Sequence, residues 1–102
     1  MTHHVKVARA LDLAPGQSRL IQVEHRELLL FNVGGRYYAV KNSCPHRGTP
    51  LDQAGVKNRV LTCPGHGWEF DLETGDSLDH PPLGLRCYRV EVRDDAVWIE
   101  VP

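Results

Sequence analysis

The sequence predicts an all-β domain in two parts: a small antiparallel basal sandwich or barrel, and a loop-rich subdomain inserted into it. Three observations lead there. Apolar and polar residues alternate at both ends of the chain. No stretch repeats its apolar residues at the helical period of 3.6. From residue 42 to 83 there are five of the seven prolines and five of the nine glycines, too many for regular structure throughout. The 102 residues make one domain with room for its own apolar core. Its basal part covers about 1–41 and 84–102, and the insert about 42–83.

The elements follow in order. Residues 3–9 alternate weakly and read as a first strand. Leu13-Ala14-Pro15-Gly16-Gln17 is a turn punctuated by Pro-Gly. Residues 18–24 are a second strand, with Leu20 opposite in parity to Ile21 and Val23. Residues 27–33 are nearly all apolar, the pattern of a strand buried on both faces. Gly34-Gly35 joins them to residues 36–40 as a tight hairpin. In the insert the apolar runs shrink to Val60-Leu61 and Trp68-Glu69-Phe70. Glu73-Thr74-Gly75-Asp76 is a turn, and His80-Pro81-Pro82 is a rigid segment with few donors. At the end Tyr88, Val90 and Val92 alternate with Arg89, Glu91 and Arg93. Asp94-Asp95 then turns the chain into Val97, Ile99 and Val101, closing a terminal hairpin. No internal repeat is visible.

Composition sets limits. The formal net charge of −1 gives no footprint for nucleic acid or for an anionic membrane surface. No apolar run reaches membrane-spanning length. The start, Met1-Thr2-His3-His4-Val5, lacks a charged-then-apolar signal pattern. Three cysteines are too few for a disulfide framework. The expectation is a soluble, cytoplasmic protein, monomeric in isolation.

Two segments carry the chemistry. Cys44-Pro45-His46-Arg47-Gly48 offers Cys-x-His, and Cys63-Pro64-Gly65-His66-Gly67-Trp68 offers Cys-x-x-His, with sixteen residues between His46 and Cys63. Two thiolates and two imidazoles suit a [2Fe-2S] centre in which one iron takes the sulfurs and the other the nitrogens. A structural zinc site takes the same four donors, although zinc fingers seldom use Cys-x-His. Formal charge separates the iron reading from an all-thiolate cluster. Two ferric ions, two sulfides and two thiolates sum to zero, two units less negative than with four thiolates. An electron is then easier to add, and the potential is higher.

Cys-Pro-His-Arg-Gly-Thr-Pro-Leu, followed by Cys-Pro-Gly-His-Gly-Trp-Glu-Phe-Asp and Thr-Gly, resembles the Rieske family. The likeness is greatest to the small Rieske-type ferredoxins of bacterial ring-hydroxylating dioxygenase systems. It covers nearly the whole chain. It implies a Rieske-like fold, with a cluster-binding subdomain at 42–83, and one [2Fe-2S] cluster as cofactor. It further implies that Cys44 and Cys63 bind one iron, and that His46 and His66 bind the other through Nδ1. The implied function is a soluble one-electron carrier, not itself an enzyme. It would pass electrons from a flavoprotein reductase to a terminal oxygenase. Two departures refine this. Thr49 and Gly65 stand where cytochrome bc relatives carry two clamping cysteines. Trp68 and Phe70 stand where those proteins place a Ser and a Tyr that donate to sulfur. Fewer donors leave the reduced cluster less stabilised, which predicts a potential of roughly −150 mV rather than the positive end near +300 mV. Related ferredoxins usually have a bulky residue at the position of Gly65, so the cluster is expected to be more exposed here.

Rival readings remain at this point. One is a Rieske-type small subunit fixed in a multi-subunit reductase such as assimilatory nitrite reductase. Another is a zinc-stabilised interaction module. An oxygenase α-subunit fragment would need a second domain for its mononuclear iron. The Pro81-Pro82 segment reads as a cover over the cluster, and His80 beside it as an incidental surface histidine. Trp68 reads as packing under the second loop. Cys87 reads as inert, and His3 and His4 as a solvated terminus. Lys41, Arg47, Lys57 and Arg59 read as a solvated face rather than a docking patch.

Overall fold

The computed structural model describes residues 2–65 and 67–102. Strand β1 (His3–Arg9) is followed by a short 3-10 turn (Ala10–Asp12), β2 (Ser18–Val23), β3 (Arg26–Val33) and β4 (Arg36–Lys41). Three short strands come next: β5 (Gly55–Lys57), β6 (Val60–Thr62) and β7 (Glu69–Asp71). The chain ends with β8 (Cys87–Tyr88), β9 (Val90–Arg93) and β10 (Ala96–Val101). They form three antiparallel sheets ordered β1-β10-β9, β2-β3-β4-β8 and β5-β6-β7. The all-β reading holds, as three antiparallel sheets.

The second sheet lies between two cores, and this explains the apolar run of β3. Side chains alternate across a strand. Leu28 and Leu30 join Ala8, Leu13, Ile21, Val23, Val97, Ile99 and Val101 in the basal core. Leu29 and Phe31 face the other way, into a core with Leu51, Leu61, Phe70, Leu72, Cys44 and Cys63. In β4, Ala39 belongs to the first core and Tyr38 and Val40 to the second. The turn after β3 is the one expected: Gly34 and Gly35 both have positive φ, 63° and 93°. Asn32 fixes it. Its side-chain Oδ1 accepts from the Gly35 N–H at 2.8 Å, and its side-chain amide donates to the Leu13 carbonyl at 2.8 Å.

Two features differ from the sequence expectation. The loop-rich middle contains a sheet of its own, β5-β6-β7. Its strands are three residues each, too short to show a period. Asn58 and Arg59, both at positive φ, make the hairpin turn without a glycine. The second difference is at the end. The alternation from Tyr88 to Val92 reads as one strand, but it is two. Tyr88 pairs with Ala39 in the second sheet, whereas Val90 pairs with Ile99 in the first. The chain changes sheets at Arg89, which a continuous alternation hides. Val92, at the edge, is 48% exposed.

A polar clamp joins the middle segment to the second sheet. The Tyr38 hydroxyl donates to Glu73 at 2.7 Å. Glu73 also pairs with Arg36 at 2.9 Å and with Arg59 at 3.6 Å.

Candidate metal centre

The two Cys/His segments are loops of the same construction. In the first, the Cys44 N–H donates to the Thr49 carbonyl at 2.8 Å, and the Gly48 N–H to the Cys44 carbonyl at 2.7 Å. In the second, the Cys63 N–H donates to the Trp68 carbonyl at 2.8 Å, and the Gly67 N–H to the Cys63 carbonyl at 3.0 Å. The offsets along the chain are identical. Gly48 and Gly67 both sit at φ 72°, where a Cβ would be strained. Each loop therefore needs Cys-Pro at its start and Gly three residues after the Pro. The repeat is one of backbone, carried by three residues, and is too short to register as a sequence repeat.

Cys44 and Cys63 are free thiols, each only 1% exposed and sharing one core. Burial pushes the Cys44 thiol up, and the neighbouring Cys63 sulfur adds to this. Against them, the N–H groups of His46 and Arg47 point at the Cys44 sulfur and favour its thiolate. Two unbridged sulfurs held together in a dry core, with backbone donors turned toward them, fit a thiolate–metal site. His46, in the first loop, is half-buried. His66 lies outside the described residues. Among the described residues no three metal-ligating groups gather, so the structure itself brings together only the cysteines.

Asn42 braces the first loop. Its side chain accepts from the Leu51 N–H at 2.7 Å and donates to Glu27 at 2.8 Å. Thr49 and Gly65 come together across the two loops. A Cβ on Gly65 would lie 3.2 Å from Thr49 Oγ1. The threonine thus takes part of the space that a larger residue at 65 would fill. Sequence reasoning missed a further feature. Trp68 is stacked between His46 and His80, with ring centroids 4.0 and 3.6 Å apart. Spacing gave no signal for it, because the three rings come from separate segments. Cys87 is an exposed free thiol on β8, opposite Val40. Burial raises its thiol, then Asp76 and Asp71 raise it further, in keeping with an inert residue.

Comparisons with known proteins agree with this geometry. Residues 3–89 match the family described as the Rieske [2Fe-2S] domain. The chain is 32% identical over 99 residues to ferredoxin CarAc of Metapseudomonas resinovorans, covering 93% of this chain and 91% of that protein. It is also 32% identical over 94 residues to apoptosis-inducing factor 3 of Homo sapiens. That match covers 91% of this chain but spans only 16% of the relative's length. Among solved structures, it resembles a chain in the complex of reduced oxygenase and oxidized ferredoxin in carbazole 1,9a-dioxygenase. There the TM-score is 0.83 at 31% identity, over 94% of this chain and 91% of that one.

Proposed function

The chain belongs to the Rieske [2Fe-2S] domain family, and from that premise we propose that it is a cytoplasmic one-electron carrier, taking electrons from a flavoprotein reductase and delivering them to a terminal oxygenase. The observation that carries this is the pair of buried, unbridged cysteines between two matched loops. The full-length likeness to a ferredoxin, and to a chain of an oxygenase–ferredoxin complex, supports the choice of partners. Cys44 and Cys63 hold one iron of a Rieske-type cluster, and His46 and His66 the other. Residues 42–83 serve the cluster, and residues 1–41 and 84–102 form the base. When bound, such a cluster takes up and returns a single electron.

The protein's own groups set the terms of that exchange. Burial of both cysteines excludes water from the sulfur side. The N–H groups aimed at Cys44 offset negative charge there. Neither Trp68 nor Phe70 brings a hydroxyl, so the potential stays in the lower Rieske range, at about −150 mV. The chain does no bond chemistry, and its contacts are small and transient. Among the described residues no helix is long and apolar enough to cross a membrane.

The test is metal and sulfide analysis of the purified protein, followed by potentiometry. About two irons and two acid-labile sulfides per chain are expected, with the low potential above. A colourless protein holding zinc and no sulfide would sink the proposal.

A further inference from the structure

Three rings from three separate segments form one stack. His46 belongs to the first loop, Trp68 to the second, and His80 to the segment after β7. The His46 and Trp68 planes differ by 14°, and the Trp68 and His80 planes by 4°. The outer end is braced. Asp79 Oδ1 lies 3.0 Å from His80 Nδ1, and it also accepts from the Ser77 hydroxyl at 3.2 Å and the Glu69 N–H at 3.4 Å. The His80 N–H donates to Ser77 Oγ at 2.9 Å, and Ser77 is itself buried. Burial pushes the Asp79 carboxyl up, but the bonds from His80, Glu69 and Ser77 outweigh it and hold the group below its ordinary value. One face of His80 is thus fixed on Trp68 and one nitrogen on Asp79. The His80 side chain is still 45% exposed, while Trp68 is half-buried.

We propose that Trp68 and His80 form the path by which an electron crosses between His46 and a redox partner, with His80 as the contact residue at the surface. This rests on His46 being an iron ligand. Tunnelling weakens exponentially with the gap between donor and acceptor edges. Ring faces in van der Waals contact leave the smallest gap that non-bonded groups allow. A partner touching His80 is coupled to His46 through two such contacts. The electron balance is simple. The reduced cluster returns one ferrous iron to ferric, and a one-electron acceptor, such as the haem iron of a cytochrome, goes from ferric to ferrous. No bond forms or breaks, no proton moves, and Trp68 and His80 keep their oxidation states.

The experiment uses the cluster-loaded protein, pre-reduced and mixed rapidly with oxidised cytochrome c. His80→Ala slows the reaction by about tenfold, and His80→Phe, which keeps a ring, restores most of the rate. Midpoint potential and electron paramagnetic resonance spectrum stay as in the parent. Ferricyanide is small enough to reach the half-exposed His46 directly, and its rate is unchanged by His80→Ala. The near-ultraviolet circular dichroism of the indole changes in His80→Ala, as the stack requires. The proposal is overturned if His80→Ala transfers to cytochrome c at the parent rate, if His80→Phe is as slow as His80→Ala, or if a moved potential accounts for the loss. A parent that binds no iron overturns the ligand assignment instead, and shows this before any rate is measured.

Discussion

A single residue often carries more than its local pattern announces. Trp68 lacks the hydroxyl that would tune a cluster, yet its ring joins two imidazoles. Thr49 takes part of the space that a side chain at Gly65 would fill, in place of a cross-link. Tyr38 is the residue whose ionisation should report on the join between the second sheet and the middle segment. Burial raises its phenol first, and the hydrogen bond to Glu73 raises it further, because a phenolate there would face a carboxylate. The folded state therefore holds this proton above the ordinary value of 10.0. The associated stability is fully present below pH 10.0 and is lost as the pH rises through the higher folded value. Ultraviolet titration should show a phenol ionising late, and Tyr38→Phe should remove that component. The absence of a late-ionising phenol would contradict the clamp.

At the scale of elements, the ligand loops show how little sequence can fix a backbone. Cys-Pro and a glycine at the fifth position give the same closure twice, while the histidine moves by one place between them. A second close approach pins the segment after β7. The Leu85 N–H donates to the Gly75 carbonyl at 2.6 Å, and Asp76 bridges to Gly84. Gly75 has φ 86°, and a Cβ there would meet the Leu85 carbonyl oxygen at 2.9 Å and Cys87 Sγ at 2.8 Å. Gly75→Ala adds backbone strain to overpacking against main chain. The expected loss is about 2–4 kcal/mol, read by denaturant unfolding. A loss within about 0.5 kcal/mol, as for a neutral surface change, would show that the segment can move aside.

For the whole molecule, the decisive arrangement is a sheet with a core on each side. The outer core contains the two cysteines, so a cluster held by them would couple to the packing there. Ligand binding to the folded state alone adds to stability. Removing iron with acid and a chelator should lower the melting temperature, by about 4–8 °C for each kcal/mol lost. Hydrogen exchange should quicken more in β5–β7 than in β10, whose residues belong to the basal core. Equal melting temperatures with and without iron would mean that the outer core stands without the cluster.

The strands of the base were legible because alternation, turn glycines and apolar runs act locally. His3–Arg9, the Gly34-Gly35 hairpin and the doubly buried β3 all follow from neighbours in sequence. A candidate donor set was legible because chemistry restricts which side chains bind iron. The short middle sheet and the change of sheet at Arg89 were not, since three residues carry no period and alternation is blind to partner choice. The Tyr38–Glu73 bond spans 35 positions. Likewise, the stack of His46, Trp68 and His80 exists only once three loops are folded against one another. Local pattern was enough for the all-β class and for naming a candidate set of donor residues. Tertiary structure alone decided what lies against those residues, because contact between distant segments depends on how the sheets pack and not on any local spacing.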